Sequence, residues 1–369
     1  PLTMKILIIG GGIAGCSAAY YLSRDGHDVS LFERDSVASH ASGFALGGIT
    51  PSFEDSPKDS YDVLSDYSIG LHRDLAEELS GGNTEKLNLL NKASVKLATE
   101  DSHMEHMLKT YESYATDYAK DIRWLSVGEL SHVDARISPD VLGGLYVGEA
   151  YETDPYKLTL NLWQAAEQCG ANLINRGVTD IVVQGGRVSG LVAGGDEFEA
   201  DSIVVAAGPW SSSLLLNLGI NAPVTPLKGQ ILRLDAPGPP LKVSLWWDTD
   251  YATTKPDGLL WVGTTEEKVG YDDRTTSAAR DRIIRSAVEI LPYLDDAELV
   301  QQTACLRPMT LDRLPIIEAV SEPQGLIIIT GGGRNGILLG PSMGLAAANF
   351  VAGSEFPVDI SAFSLSRFS

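Results

Sequence analysis

The sequence predicts an α/β fold whose parallel sheet is assembled from the start, the middle and the end of the chain. Met4–Asp35 has the pattern of strand, glycine turn, helix and strand, and Asp201–Ser212 is a strand that runs into a glycine. Gly325–Gly353 follows as a strand, a glycine-rich turn and a helix of small residues. Apolar strands that alternate with helices are typical of parallel sheets covered on both faces. The three segments therefore predict one domain that is split along the chain.

Length and charge limit the classes of function. A chain of 369 residues is long enough for two domains. The 28 basic residues against 49 acidic residues give a net charge of −21, which argues against nucleic acid or an anionic membrane as the partner. No stretch approaches the roughly 20 consecutive apolar residues that a membrane span needs. A homo-oligomer is compatible with the sequence, which does not fix the oligomeric state.

Cysteine and histidine usage points to a cytoplasmic protein without a metal. Cys16, Cys169 and Cys305 are too few and too scattered for a disulfide framework. The N-terminal region also lacks the pattern of a signal peptide. His103 and His106 have a spacing that would place both on one helical face, but no third ligand is in view, so we expect no metal site.

The first glycine turn has the form of a dinucleotide cradle. Lys5–Ile9 is an apolar strand, and the glycines after it fit G-x-G-x-x-G. The first glycine permits the tight turn, the second lets the backbone approach a pyrophosphate, and the third lets the helix pack closely on the strand. The amides at the start of the helix favour phosphate. The candidate cofactor residues here are Gly10, Gly12, Ile13, Ala14 and Gly15.

Glu33 and Arg34 end the second strand of this unit, about 20 residues beyond the glycines. A carboxylate at this place accepts hydrogen bonds from ribose hydroxyls and repels a 2′-phosphate. The motif alone leaves NAD and FAD open. A simple NAD dehydrogenase completes its nucleotide domain in one block, whereas this one is completed only near the end of the chain. The split layout therefore indicates a flavoprotein.

Longer stretches of the chain resemble one family of flavoproteins. They are "LYVGEAYETDPYKLTLNLWQAAEQCGANL" with the following "RGVTDIVV", "CLRPMTLDRLPII" (Cys305–Ile317) and "GGGRNGILLGPSMG" (Gly331–Gly344). They resemble the FAD-dependent glycine oxidase, D-amino-acid oxidase and sarcosine oxidase superfamily, and most of all bacterial glycine oxidase. The resemblance covers nearly the whole chain.

The resemblance implies a split Rossmann-like FAD domain and a substrate domain built from an antiparallel sheet with helices. It divides the chain into an FAD domain at residues 1–85, 150–222 and 305–369, and a substrate domain at residues 86–149 and 223–304. Within the second domain, Val224–Val262 is rich in strand-forming residues, with proline and glycine turns between them.

The resemblance also implies further cofactor contacts and a noncovalent FAD. Ser42 and Gly43 match family contacts to FAD, and Val178 matches a residue that meets the adenine side through its backbone. A covalent link to Cys305 is the alternative, because sarcosine oxidase-like members attach FAD to a cysteine near this position. The remaining candidate cofactor residues are Ala207, Gly208, Gly333, Asn335, Gly336 and Ile337.

Three side chains are candidates for binding the substrate. An arginine fork binds a carboxylate bidentately, and Arg307 and Arg334 both lie in turn-rich or glycine-flanked segments. In glycine oxidase-like proteins the arginine matching Arg307 pairs with the carboxylate, and the one matching Arg334 lies close to the flavin. Tyr251 matches a tyrosine whose hydroxyl helps to hold the carboxylate. A structural ion pair for either arginine, and sheet packing for Tyr251, are the alternatives.

The implied reaction is FAD-dependent oxidation of the C–N bond of a small amino acid or N-alkyl amino acid. Hydride passes to flavin N5 and gives an imine that hydrolyses. O₂ or another acceptor then reoxidises the flavin. The alternative is a dehydrogenase of a D-amino acid or 2-hydroxy acid that passes electrons to a quinone or an electron-transfer partner.

The sequence predicts a helix that begins after Pro341, and the resemblance implies that its N-terminal amides stabilise the reduced flavin. Its candidate residues are Gly340, Ser342, Met343 and Gly344. The same residues fit the G-x-S-x-G motif of serine hydrolases. That fold needs a histidine downstream of the serine, and the last histidine in the sequence is His132, so a serine hydrolase of this kind is excluded.

Two departures from the family bear on substrate and acceptor. Glu266 stands near the place of a lysine that sarcosine oxidase-like members hold over the flavin, which puts efficient use of O₂ in doubt. Gly332 and Gly333 stand where glycine oxidase has a bulky His-Phe pair. The loss of both side chains predicts a substrate larger than glycine.

Overall fold

The computed structural model describes residues 3–50, 60–80, 89–114 and 121–368. Its strands, numbered along the chain, are β1 Lys5–Ile9, β2 Asp28–Phe32, β3 Gly48–Ile49, β4 Leu90–Asn91, β5 Ser94–Ala98, β6 Ile122–Leu125, β7 Gly143–Val147, β8 Tyr151–Glu152, β9 Asn172–Ile174, β10 Val178–Gln184, β11 Arg187–Ala193, β12 Asp196–Glu199, β13 Ser202–Val205, β14 Val224–Asp235, β15 Ser244–Trp247, β16 Asp250–Thr254, β17 Leu260–Gly263, β18 Glu298–Thr310, β19 Ile316–Ala319 and β20 Leu326–Thr330. Its α-helices are α1 Ile13–Arg24, α2 Ala41–Phe44, α3 Ser60–Ser80, α4 Asp101–Tyr114, α5 Val127–Val133, α6 Pro155–Gln168, α7 Ser211–Leu216, α8 Ser277–Ile290 and α9 Gly336–Ala352.

The first sheet joins the three segments that the sequence assigned to one domain. Its order in the described residues is β19-β20-β13-β1-β2-β9, and only β19 runs antiparallel to its neighbour. The central strand β1 is apolar and buried from Ile6 to Ile9, as a parallel strand covered on both faces must be. Helices α1, α6 and α9 pack together over one face. This arrangement confirms the predicted Rossmann-like fold class.

The second sheet is large and almost entirely antiparallel. Its order in the described part of the chain is β18-β14-β17-β16-β15-β5-β7-β6, with one parallel pair between β15 and β5. Helix α8 packs on one face through Ile283, Ala287 and Ile290. The other face turns toward the first sheet and supplies the side chains of the site described below. The predicted antiparallel sheet with helices is confirmed.

The strand β18 crosses the predicted domain boundary between residues 304 and 305. Its ladder with β14 continues without interruption from Gly229 opposite Cys305 to Val224 opposite Thr310. Arg307 therefore lies on the antiparallel sheet, although the predicted boundary placed it in the FAD domain. The division of the chain into two domains stays a prediction.

The predicted start of the last helix after Pro341 is wrong. Helix α9 begins at Gly336, and Pro341 lies inside it. A proline within a helix lacks the N–H that would bond the carbonyl four residues earlier, here Ile337. His72 of α3 compensates, because its Nε2 lies 3.0 Å from the carbonyl oxygens of both Ile337 and Leu338.

The four residues assigned to that helix start lie inside helix α9 instead, and they are Gly340, Ser342, Met343 and Gly344. Gly340 faces Ile13 of α1, and Gly344 faces Ser17 of the same helix. The Ser342 hydroxyl lies 2.7 Å from the Ser68 hydroxyl of α3. Only Met343 of the four reaches the large cavity described below. The helix start is formed by Gly336 and Ile337 instead.

No helix in the described ranges combines the length and apolar character that crossing a membrane requires.

Candidate active site

One cavity of about 530 Å³ runs between the two sheets. It extends from Glu33 at the end of β2, past the first glycine turn, to Tyr251 on β16. Seventeen of the predicted site residues line this cavity, although they come from all parts of the chain: Gly10, Gly12, Ile13, Ala14, Glu33, Arg34, Ser42, Val178, Ala207, Gly208, Tyr251, Arg307, Gly333, Arg334, Asn335, Gly336 and Ile337.

Gly15 and Gly43 are the two predicted cofactor residues that do not line the cavity. A Cβ at Gly15 would collide with the carbonyl oxygen of Gly10, so its role is the close packing of α1 on β1. A Cβ at Gly43 would collide in the same way with the carbonyl oxygen of Ala38. Both glycines shape the cavity wall through the backbone.

The end of the cavity near Glu33 has the chemistry of a nucleotide site. The Gly11 amide donates to Glu33 Oε2 at 2.8 Å, and the Asp35 amide donates to Oε1 at 2.9 Å. The Ser42 hydroxyl accepts the Ile13 amide at 2.9 Å, at the start of α1. This helix start carries the positive end of the helix dipole into the cavity.

Trp210 is a cavity residue that the sequence did not single out. The Arg34 guanidinium lies 4.1 Å from the centre of its ring, and Tyr271 stacks on it at 5.8 Å. The Tyr271 hydroxyl donates to the Pro209 carbonyl. The signal was present in the "AAGPW" stretch, but only the tertiary structure brings Tyr271, which lies between β17 and α8, to this tryptophan.

Arg307 lies at the opposite end of the cavity from Glu33. Its guanidinium donates to the carbonyl oxygen of Thr265 at 3.0 Å and to the Thr264 hydroxyl at 2.7 Å. Both acceptors are neutral, and no carboxylate in the described ranges forms an ion pair with it. The arginine is therefore fixed in place by neutral acceptors, and the Glu266 carboxylate acts on it through its charge without direct contact.

Tyr251 is buried beside Arg307, and two glycines make room for the pair. A Cβ at Gly263 would lie 2.7 Å from the Tyr251 hydroxyl, and one at Gly229 would collide with the Arg307 guanidinium. Burial raises the pKa of Tyr251, which the charges of Arg307 and Arg334 only partly offset, so the hydroxyl stays protonated. It has no hydrogen-bond partner among the described residues and is a free donor.

Arg334 differs from Arg307, because a carboxylate already compensates its charge. It donates to Glu266 Oε1 at 3.1 Å and to the carbonyl oxygen of Thr249 at 2.8 Å. Burial would raise the pKa of Glu266, but the hydrogen bond and charge of Arg334, with the charges of Arg313 and Arg307, lower it. Glu266 is thus ionised and does not itself line the cavity. The contacts of Arg334 therefore agree with the alternative role as a structural ion pair.

Cys305 lines the cavity but has the environment of an unreactive thiol. Burial raises the pKa of Cys305, and the Arg307 charge offsets this only in part. The nucleophile of cysteine chemistry is the thiolate, which burial disfavours. These contacts favour the noncovalent FAD that the sequence predicts.

Denaturation of the purified protein is therefore expected to release FAD, leaving a polypeptide of unmodified mass. Cys305→Ser should retain the same flavin content per chain as the parent protein. Intact-mass measurement and the absorbance of the released flavin check both results. If the denatured parent protein keeps the added mass of FAD and the denatured Cys305→Ser protein does not, noncovalent binding is contradicted.

Glu33, Asp35 and His40 form a cluster whose ligand atoms lie within 4.8 Å of one another in the described part of the chain. Glu33 is engaged by two backbone amides, and His40 Nε2 lies 2.7 Å from Asp35 Oδ2. These contacts explain the cluster without an ion. The expectation of no metal site stays a prediction.

The chemistry of the residues that line the cavity fits FAD. Its Glu33 end offers a ribose acceptor and a helix start, and its Tyr251 end offers a protonated hydroxyl and an arginine that has no ion pair among the described residues. The glycine-rich turns between them leave the backbone free to approach a pyrophosphate and a ring.

Comparison with known proteins agrees with this geometry. The family model described as DAO, FAD dependent oxidoreductase, matches residues 5–350. Glycine oxidase of Geobacillus kaustophilus is 29% identical over 366 residues, 98% of this chain and 96% of that protein. The bifunctional protein ThiO/ThiG of Trichormus variabilis is 31% identical over 100% of this chain and 55% of its own length.

Solved structures show the same similarity. The crystal structure of the Geobacillus kaustophilus glycine oxidase has a TM-score of 0.93 and covers 100% of this chain and 99% of that one. Iminodiacetate oxidase of Chelativorans sp. BNC1 is 27% identical, with a TM-score of 0.90 over 97% of this chain and 98% of that one. The predicted family and the FAD cofactor are confirmed: this chain is an enzyme of the DAO family of FAD-dependent oxidoreductases.

Proposed function

We propose that this enzyme oxidises the C–N bond of a small amino acid or N-alkyl amino acid. One observation carries the proposal, which is the pairing of Arg307 and Tyr251 at the end of the FAD cavity. The arginine is held by neutral acceptors and the tyrosine hydroxyl is a free donor. A cation and a donor arranged side by side suit a substrate carboxylate.

The chain's own residues would bind and orient the substrate. Arg307 and Tyr251 hold the carboxylate, which aims the adjacent C–H bond along the cavity. Leu46, Ile231 and Trp246 line the same region and exclude water, which favours the neutral amine that the reaction needs. When bound, FAD supplies the two-electron acceptor. The product imine then hydrolyses in water.

Related proteins support this substrate class. The similar glycine oxidase and iminodiacetate oxidase are named for substrates that carry an amine and a carboxylate on the same carbon. Gly332 and Gly333 line the cavity, but a Cβ at Gly332 would lie 2.8 Å from the Gly336 Cα and one at Gly333 would lie 3.2 Å from the Met309 side chain. The expectation of a substrate larger than glycine stays a prediction.

Anaerobic mixing with the right amino acid is expected to bleach the flavin band near 450 nm. Glycine, sarcosine, D-amino acids and L-proline form the first panel, because bleaching does not presuppose the electron acceptor. Peroxide formed in air would then identify an oxidase, and reduction of a dye without peroxide would identify a dehydrogenase. If a 2-hydroxy acid bleaches the flavin and no amine does, the assignment of the C–N bond is wrong.

A further inference from the structure

Asp250 is a buried carboxylate that lies behind the carboxylate site, which is Arg307 with Tyr251. Strand β16 carries Asp250 and Tyr251 at adjacent positions, and adjacent side chains of a strand point to opposite faces of the sheet. Tyr251 lines the cavity, whereas Asp250 contacts Arg282 and Ser286 of helix α8 on the other face. Asp250 therefore cannot bind the substrate itself, but it is next to a residue that would.

Three donors hold the carboxylate of Asp250. Its Oδ1 accepts the Thr264 amide at 2.8 Å and the Arg282 guanidinium at 2.6 Å, and its Oδ2 accepts the Ser286 hydroxyl at 2.6 Å. The Ser286 oxygen in turn accepts the indole N–H of Trp247 at 2.9 Å. A buried charge is costly unless it is paired and hydrogen-bonded, so these contacts fix the carboxylate in one position.

Asp250 and Arg282 together hold both backbone groups of Thr264. The Thr264 amide donates to Asp250, and the Thr264 carbonyl oxygen accepts Arg282 at 2.7 Å. The Thr264 hydroxyl donates to the carbonyl oxygen of Gln230 at 3.1 Å and accepts Arg307 at 2.7 Å. Every polar group of Thr264 thus has a partner, and the last of these partners is the arginine of the carboxylate site.

This chain of contacts connects the helix side of the sheet to the cavity side. Arg282 and Ser286 alone would be enough to join helix α8 to Asp250. The two bonds to the Thr264 backbone do more, because they fix the residue whose hydroxyl orients Arg307. A guanidinium fork binds a carboxylate well only in a defined orientation, and a site is held to such precision by the residues that support it.

We propose that Asp250 and Arg282 are positioning residues for the substrate carboxylate, and that they act through Thr264 on Arg307. The inference rests on the proposed function, because it requires that Arg307 binds a carboxylate. Neither residue touches the substrate or takes part in the chemical step. Their loss should weaken substrate binding while the bound substrate still reacts.

The test measures anaerobic flavin reduction by the holoenzyme against substrate concentration. Glycine, sarcosine, D-alanine and L-proline are tried, and the one that reduces the parent flavin fastest is used throughout. Asp250→Ala removes the acceptor of the Thr264 amide, and Asp250→Asn keeps an oxygen there. Arg282→Met removes the donor to the Thr264 carbonyl. Arg285→Met is its matched control, because Arg285 is exposed on the same helix and does not line the cavity.

Asp250→Ala and Arg282→Met are each expected to raise the half-saturating concentration by about tenfold, because a small misplacement of a binding group costs up to about 10²-fold. The limiting rate of reduction should change by less than about twofold. Asp250→Asn should recover part of the loss, and Arg285→Met should match the parent. Arg282 is nearly half exposed, so Arg282→Met keeps the test valid if Asp250→Ala does not fold.

A double-mutant cycle separates positioning from a general structural role. Once Arg307→Met has removed the guanidinium, adding Arg282→Met should change the ratio of limiting rate to half-saturating concentration by less than about twofold. The same loss in both backgrounds would overturn the proposal, because the network would then not act through Arg307.

Two further outcomes separate this inference from the proposed function. If an amino acid reduces the parent flavin and neither Arg282→Met nor Asp250→Asn changes its half-saturating concentration, the positioning role is wrong and amine oxidation stands. If none of the four amino acids reduces the parent flavin, this inference fails together with the proposed function.

Discussion

Arg307→Met is expected to raise the KM for an amino acid substrate by about 10²–10³-fold. Loss of a charge-assisted, bidentate partner of a bound carboxylate costs about 3–4 kcal/mol, and each 1.4 kcal/mol is about tenfold. The Thr264 and Thr265 oxygens that hold the guanidinium are neutral, so the variant leaves no buried carboxylate unpaired. Steady-state kinetics and the flavin spectrum, which should be unchanged, check the prediction.

Two variants make this test specific. Arg307→Lys keeps the charge without the planar fork and should recover only part of the affinity. Arg313→Met is the matched control, because Arg313 contacts Glu266 from outside the cavity, and its KM should stay close to that of the parent. An Arg307→Met enzyme with an unchanged KM would show that the carboxylate is held elsewhere.

His72→Phe is expected to lower stability at neutral pH and to remove a pH dependence from unfolding. Burial lowers the pKa of His72 from 6.5 to about 4, which its hydrogen bonds to Leu338 and Ile337 only partly oppose. Between these pH values the unfolded chain binds a proton that the folded protein does not. Stability contributed by the neutral imidazole is therefore present above pH 6.5 and is lost as the pH falls toward 4, by up to about 3 kcal/mol.

Urea unfolding at pH 7 and at pH 5 measures both effects. At pH 7 the variant should lose about 1–3 kcal/mol, because the Ile337 carbonyl has no N–H from Pro341 to replace the imidazole donor. From pH 7 to pH 5 the parent should lose more stability than the variant. His132→Phe is the control, because that histidine is exposed and should keep the parent's slope. Equal slopes for the parent and His72→Phe would contradict a neutral, buried His72.

The sequence was most informative where local geometry carries the function. Gly10, Gly12 and Glu33 belong to one strand–turn–helix–strand unit, whose spacing is fixed by the pyrophosphate and ribose it must meet. The apolar character of the strands is also a local property, and it predicted that three distant segments share one sheet. The fold class, the family and FAD could be predicted from these patterns.

Prediction was weaker where a residue depends on a partner far along the chain. The helix was expected to begin after Pro341, because sequence rules treat proline as a helix start. It begins at Gly336, and His72, which lies 265 residues away from Ile337, supplies the donor that Pro341 lacks. Arg307 and Arg334 likewise look alike in sequence, and only the structure shows that Glu266 pairs directly with Arg334 while neutral oxygens hold Arg307.

By itself, the sequence determined that this protein holds a dinucleotide on a split α/β domain, since glycine spacing and strand hydrophobicity are local properties. Only the tertiary structure decided which arginine at the far end of the cavity is paired directly with a carboxylate. Arg307 is held by neutral oxygens and Arg334 by a carboxylate. That outcome depends on strand register and on contacts between distant segments, which no short stretch of sequence encodes.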